Sequence, residues 1–176
     1  MKLFTLFLCA ALMLATATAQ DLRWSSKFGA HSSSAPILDG PVVRLAVDGI
    51  RSEGFDFDLG GHIDFSGLSN AANGLPTTVL QLSLIGKQYF YEEGPMGVYW
   101  SAGPGLQVFQ NAGSAFGLSA EAGLGLRFQL NDAISYAAEL SGLLYPDPTG
   151  TRGVLGNNKL MAGLSIAMDP KPKTPA

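Results

Sequence analysis

The sequence predicts an all-β fold, an eight-stranded antiparallel up-and-down transmembrane β-barrel, and three observations carry that expectation. From Ser114 to Leu130 the chain alternates. Phe116, Leu118, Ala120, Ala122, Leu124, Leu126 and Phe128 share one parity, and Gly117, Ser119, Glu121, Gly123, Gly125, Arg127 and Gln129 share the other. A one-sided run of that length exceeds the ~5–6 residues usual for strands in soluble proteins and satisfies the ~9–11 that a membrane-crossing strand needs. The second observation is that charge stays on one parity within such segments, the terminal Arg51 of the second apart. The third is that short and long connections tend to alternate along the chain, as they do in barrels with one turn end and one loop end.

The elements follow in order. Lys2, the apolar run Leu3 to Leu14 and the small-x-small triplet Ala17-Thr18-Ala19 form a signal peptide over 1–19, cleaved between Ala19 and Gln20. The apolar run is shorter than the ~20 residues a membrane-spanning helix requires, so any spanning must come from strands. Cleavage removes Cys9, the only cysteine, which leaves no disulfide and no thiolate metal ligand. Residues 20–168 form the barrel. Eight alternating segments are expected, at Leu22–His31, Val43–Arg51, Phe55–Ser66, Thr78–Tyr89, Val98–Val108, Ser114–Gln129, Ala133–Ser141 and Leu160–Met168. Short turns are expected at Ser52-Glu53-Gly54, from Phe90 to Met96 and at Leu130-Asn131-Asp132. Long connections are expected at Ser32–Pro41, Gly67–Pro76 and Leu144–Lys159, with Gln110-Asn111-Ala112-Gly113 shorter than the alternation asks. The tail 169–176 carries three prolines and is expected to be disordered.

The oily parity contains Val43, Leu45, Val47, Phe57, Leu59, Ile63, Phe65, Leu80, Leu82, Leu84, Trp100, Leu164 and Ile166, and no charged residue apart from Arg51, which closes its segment. The other parity contains Arg23, Lys27, Arg44, Asp48, Asp56, Asp58, His62, Asp64, Lys87, Glu121, Arg127 and Glu139. A lipid-facing Arg or Lys at the membrane midplane costs about 2–4 kcal/mol, so the charges belong inside and the oily face outside. A soluble ligand-binding barrel inverts this arrangement. Phe55 and Phe65 lie about 33 Å apart along a strand, which a tilt near 45° shortens to about 23 Å, close to the height of an apolar band between aromatic girdles.

The inward charges are nearly balanced, and an eight-stranded barrel is just wide enough to be filled by side chains. A plugged polar lumen follows, with no solute pore. Asp56, Asp58, His62 and Asp64 share a face, but successive same-face positions lie about 6.6 Å apart, too far for one ion to take more than two. No metal and no cofactor is expected. The net charge of −3 argues against nucleic acid as a partner.

The run Gly123-Leu124-Gly125-Leu126-Arg127-Phe128-Gln129-Leu130-Asn131-Asp132-Ala133-Ile134-Ser135-Tyr136-Ala137-Ala138-Glu139-Leu140 combines a Gly-x-Gly strand, a tight Asn-Asp turn and a return strand with an inward acid. In this it resembles the small eight-stranded outer-membrane β-barrels of Gram-negative bacteria, the group that includes the OmpA transmembrane domain, OmpX and the opacity proteins. The resemblance implies residence in the cell outer membrane with both termini periplasmic, insertion by the barrel-assembly machinery and contact with outer-membrane lipid and lipopolysaccharide. Such barrels commonly end on an aromatic residue, whereas here Met168 closes the last strand and a tail follows.

The function expected is structural or adhesive, exerted by a monomer through its outside loops toward an extracellular partner that the sequence does not identify. The Leu144–Lys159 connection is the favoured contact surface. One alternative is a soluble periplasmic barrel binding a small ligand. Another is a lipid A-modifying barrel enzyme, which needs a Ser nucleophile, a His base and an acid facing lipid. Only His31 and His62 exist. His62 is inward and His31 is expected at a loop edge beside Ser32-Ser33-Ser34, so the chain is not expected to be an enzyme.

Overall fold

Eight strands close on themselves. The structure is a computed structural model that describes residues 22–32, 39–51, 57–69, 76–110, 114–146 and 154–168. The strands are β1 (Arg23–Ser32), β2 (Gly40–Arg51), β3 (Asp58–Ser69), β4 (Pro76–Glu93), β5 (Met96–Gln110), β6 (Ser114–Gln129), β7 (Ile134–Pro146) and β8 (Val154–Ala167). Each pairs antiparallel with its sequence neighbours, and β8 pairs with β1 to complete the barrel. Closure matters physically because it removes both sheet edges, so every strand finds a hydrogen-bonding neighbour on each side.

Both described termini meet at one end of the barrel, where Met168 N donates to Leu22 O at 2.8 Å. That end is called the terminal end here, and the opposite one the far end. At the terminal end, β4 and β5 are joined by Gly94-Pro95 alone, with Glu93 opposite Met96. The expected turn from Phe90 to Met96 is therefore mostly strand. The β6–β7 turn is capped by Asn131, whose Oδ1 accepts from the amides of Ala133 and Ile134 at 2.9 and 2.8 Å. This is the local chemistry that makes Asn a turn residue.

At the far end the strands outrun the sequence expectation. Leu144, Tyr145 and Pro146 pair with Gly156, Leu155 and Val154, so most of the expected Leu144–Lys159 loop is β7 and β8. Gly156, Asn157 and Asn158 hide the alternation from a hydropathy reading, yet Leu155, Asn157 and Lys159 all turn inward and are buried. The signal segment with Ala19 and Gln20, Phe55, Asp56 and the tail 169–176 lie outside the described residues.

Facing follows parity. Leu118, Leu124, Leu126, Leu140, Leu160, Leu164 and Ile166 are all exposed on the outer surface, Leu118 at 76% and Leu124 at 60%. Near the terminal end, Trp24, Trp100, Phe128 and Tyr136 are exposed as well. Phe128 stands opposite Tyr136, and Trp100 Nε1 donates to Gln88 Oε1 at 3.0 Å. Inside the far end, Leu68, Val79, Phe109, Leu143, Tyr145 and Leu155 form a buried apolar cluster, with the Phe109 and Tyr145 ring centroids 5.7 Å apart. At the far end the expected polar lumen is therefore joined by an apolar cluster, beside which Thr77 and Asn157 are also buried.

Two glycines show how tight the wall is. At Gly49 the backbone takes φ 98° where the β2–β3 register shifts between Val47 and Ile50, a left-handed conformation that a bulge exploits and that favours Gly. At Gly103 a Cβ would run into the carbonyl oxygen of Leu84 on β4, so the absence of a side chain lets the two strands approach. Gly103→Ala is expected to lower the unfolding midpoint in detergent by the equivalent of about 1–3 kcal/mol. Gly67→Ala, where a Cβ meets nothing within 4 Å, is expected to leave it nearly unchanged. Urea titrations followed by tryptophan fluorescence check both.

Candidate functional site

The middle of the lumen is an ion layer to which every strand contributes. Arg44 on β2 is its hub and is 2% exposed. Its Nε and Nη2 donate to Asp64 Oδ1 and Oδ2 on β3, each at 2.7 Å. Nη2 also reaches Glu121 Oε1 on β6 at 2.6 Å, and Nη1 reaches Glu139 Oε1 on β7 at 2.9 Å. One planar guanidinium therefore serves three carboxylates, a geometry that the fork of Arg allows and an ammonium does not.

Lys159 on β8 is the second cation of the layer, fully buried at 0% exposure. Its Nζ donates to Asp64 Oδ2 at 2.6 Å, Gln81 Oε1 on β4 at 2.8 Å and Glu121 Oε2 at 3.0 Å, which uses all three protons of the ammonium. Lys27 on β1 is the third, with Nζ 2.7 Å from Glu139 Oε2 and 3.5 Å from the hydroxyl of Tyr99 on β5. Tyr99 in turn donates to Glu139 Oε2 at 2.9 Å. Ser141 Oγ donates to Glu121 Oε1 at 2.9 Å, and Gln81 Nε2 to Glu121 Oε2 at 2.8 Å. Lys27, Arg44 and Lys159 thus face Asp64, Glu121 and Glu139, three cations against three anions. A buried ion set is tolerable only under such balance, because desolvating an unpaired charge costs several kcal/mol.

Among the sequence-selected residues, Arg44, Asp64, Glu121 and Glu139 come together in this layer, with His62 beside it. Asp48 and Lys87 pair below it, Oδ1 to Nζ 2.7 Å. Arg127 pairs with Glu92 at 2.6 Å near the terminal mouth, and Asp58 lines the lumen there. Lys159 was missed in the sequence because it fell inside a segment read as a loop. Counting parity back from Leu160 was the one signal available. His31, expected to close the first strand at a loop edge, is the penultimate residue of β1 and is buried, its Nε2 2.8 Å from Ser66 Oγ.

His62, Asp64 and Glu121 bring candidate ligand atoms within 4.8 Å of one another. His62 Nε2 lies 3.3 Å from Glu121 Oε2 and 3.8 Å from Asp64 Oδ2. The donor types suit a divalent ion, but both carboxylates are already bonded to Arg44 and Lys159. A divalent ion here would sit against two cations, and the arrangement works as a charge network.

No protein-family model and no curated protein matches the sequence. Solved structures do match. The chain is similar to Neisserial surface protein A at TM-score 0.65 and 14% identity, over 83% of this chain and 95% of that one. It is similar to the N-terminal β-barrel domain of Pseudomonas aeruginosa OprF at TM-score 0.61 and 16% identity, over 84% and 97%. The outer membrane enzyme PagL matches at TM-score 0.55 and 18% identity, over 82% and 98%. The chain has the fold of the small eight-stranded outer-membrane barrels.

Replacing Arg44 by Met leaves three buried carboxylates short of one cation. It is expected to cost about 3–5 kcal/mol, read as a large fall in the temperature at which the folded band disappears on a denaturing gel. Arg127→Gln breaks only the partly exposed pair with Glu92 and is expected to cost less than about 1 kcal/mol by the same assay.

Proposed function

We propose that this protein is an outer-membrane β-barrel of structural role, exported through a cleaved signal peptide and standing as a monomer in outer-membrane lipid with its terminal end in the periplasm. The observation that carries the proposal is the facing. Leucines cover the outer surface and six charged side chains are locked together inside. A barrel built for water would pay a heavy hydration penalty for that exterior, whereas a hydrocarbon surround matches it. The aromatic residues near the terminal end suit the membrane interface.

Two features favour a structural role over an adhesive or transporting one. The far-end connections fall within 33–39, 70–75, 111–113 and 147–153, which leaves less surface for a partner than the sequence promised. Their charged residues are Asp39, Asp147 and Arg152. The apolar cap of Leu68, Val79, Phe109, Leu143, Tyr145 and Leu155 closes the lumen beneath them. Sustained passage of polar solutes does not fit a lumen crossed by this cluster and by the ion layer.

Likeness to PagL raises an enzymatic reading, which the residues do not support. The only histidines are His31 and His62. Both are buried inside the barrel, away from the lipid face where an acyl chain would arrive. His31 and Ser66 form a Ser–His pair, but His31 Nδ1 has no hydrogen-bond partner among the described residues, so the acid that would orient the base is lacking.

Envelope fractionation is the direct test. The protein is expected in outer membranes and to migrate faster on a denaturing gel before boiling than after it. Recovery as a soluble periplasmic protein with no such shift would refute the facing. Leu124→Arg is expected to cost about 2–4 kcal/mol of barrel stability in bilayers, a penalty that a water-exposed Leu124 would not show.

A further inference from the structure

Below the ion layer the terminal end of the lumen is not filled. A cavity of about 160 Å³ remains, the volume of about five waters. Its walls are polar. Arg23, Lys87, Asp48, Tyr99 and Arg127 reach it from five different strands. The ion layer ends it on one side and the mouth opens on the other, so it is a blind pocket.

Arg127 is fixed at this pocket. Its guanidinium lies over the Tyr89 ring, 4.4 Å from the centroid, and Nη1 donates to the Tyr89 hydroxyl at 3.1 Å. Nη2 is bonded to Glu92 Oε1 at 2.6 Å. The Glu92 side chain is 52% exposed, against 21% for Arg127. The cation is therefore held by the wall, while its counterion sits at the solvent edge on a flexible stem. Arg23, on the β1 side, makes a long 3.5 Å contact to Ser135 Oγ. A carboxylate acceptor would outcompete that contact, since charge-assisted bonds are shorter and stronger.

We propose that the pocket binds a small hydroxylated monocarboxylate, whose carboxylate takes the place of Glu92 on Arg127 and draws in Arg23. Glu92 then turns out to solvent on its stem, and the lining cations Arg23, Lys87 and Arg127 face Asp48, Asp58 and the single carboxylate of the ligand. A dianion would leave an excess. Deeper in the pocket, Ser25, the Asp48–Lys87 pair and the Tyr99 hydroxyl offer hydrogen bonds to hydroxyl groups and nothing apolar enough to select a hydrocarbon chain. The proposed orientation enters only in naming the periplasm as the compartment that supplies the solute. The pocket itself is independent of it.

The test uses the full chain folded in detergent micelles, glycerate as the probe and titration calorimetry at low salt, with the heat-dependent gel shift verifying that each variant is folded. Glycerate is expected to bind wild type. Glu92→Gln, which removes the competing carboxylate, should tighten binding by about threefold or more. Arg127→Gln should weaken it by about tenfold or more, and Arg23→Gln by a smaller factor. Uncharged glycerol and inorganic phosphate should each bind far more weakly than glycerate. Absence of glycerate binding to both wild type and Glu92→Gln would overturn the proposal, as would undiminished binding to folded Arg127→Gln. Phosphate binding as tight as glycerate would overturn the choice of a carboxylate. A folded barrel that fails these titrations would leave the membrane role standing, whereas a soluble protein that passes them would remove the membrane role and keep the pocket.

Discussion

The closed ion layer is the constraint on which the rest of this barrel depends. Arg44 holds Asp64, Glu121 and Glu139 at once, Lys159 holds two of them from the opposite side, and Lys27 with Tyr99 completes Glu139. Each of the eight strands supplies a member. A wall of paired strands has no core of its own to resist flattening or slippage, and the layer provides a centre. Shifting one strand by a residue would send its charged member to the outside and strand its partner. Register, facing and charge balance are therefore one specification rather than three. Polar networks have such consequences only when fully satisfied, and the layer meets that condition at Arg44, Lys159, Glu121 and Glu139.

The outer surface and the lumen are complementary halves of the same pattern. In the proposed hydrocarbon surround, large apolar side chains on the exposed parity carry no solubility cost, which frees the interior for ions. The far end reverses this locally, since Leu143, Tyr145 and Leu155 turn inward and pack with Leu68, Val79 and Phe109. The interior thus changes from an open polar cavity to an ion layer to an apolar cluster along its axis.

Much of this was legible in the sequence because barrel strands obey a two-residue period. The alternation of Ser114–Gln129 gives β6 with its observed bounds, and the Asn131 turn is readable from its side-chain chemistry. Illegibility concentrated where composition conflicts with period. Gly156, Asn157 and Asn158 resemble a loop, and only cross-strand pairing with β7 reveals them as strand. Lys159 was lost with them. His31 closes the first expected strand and lies near the end of β1, but its burial was not legible, because its contact with Ser66 reaches from β1 to β3. The three-dimensional grouping of Arg44 with carboxylates from β3, β6 and β7 lies beyond any period, because it depends on closure.

Lys159 has a consequence for the order in which the barrel is made. It sits on β8, the last strand synthesised, and its ammonium reaches Asp64 on β3 and Glu121 on β6. A chain that has formed only its first seven strands holds three carboxylates against Arg44 and Lys27, and carries one uncompensated negative charge in a space losing water. The final strand brings its neutraliser. The pairing of β8 with β1 thus completes the charge balance of the lumen together with the backbone ladder.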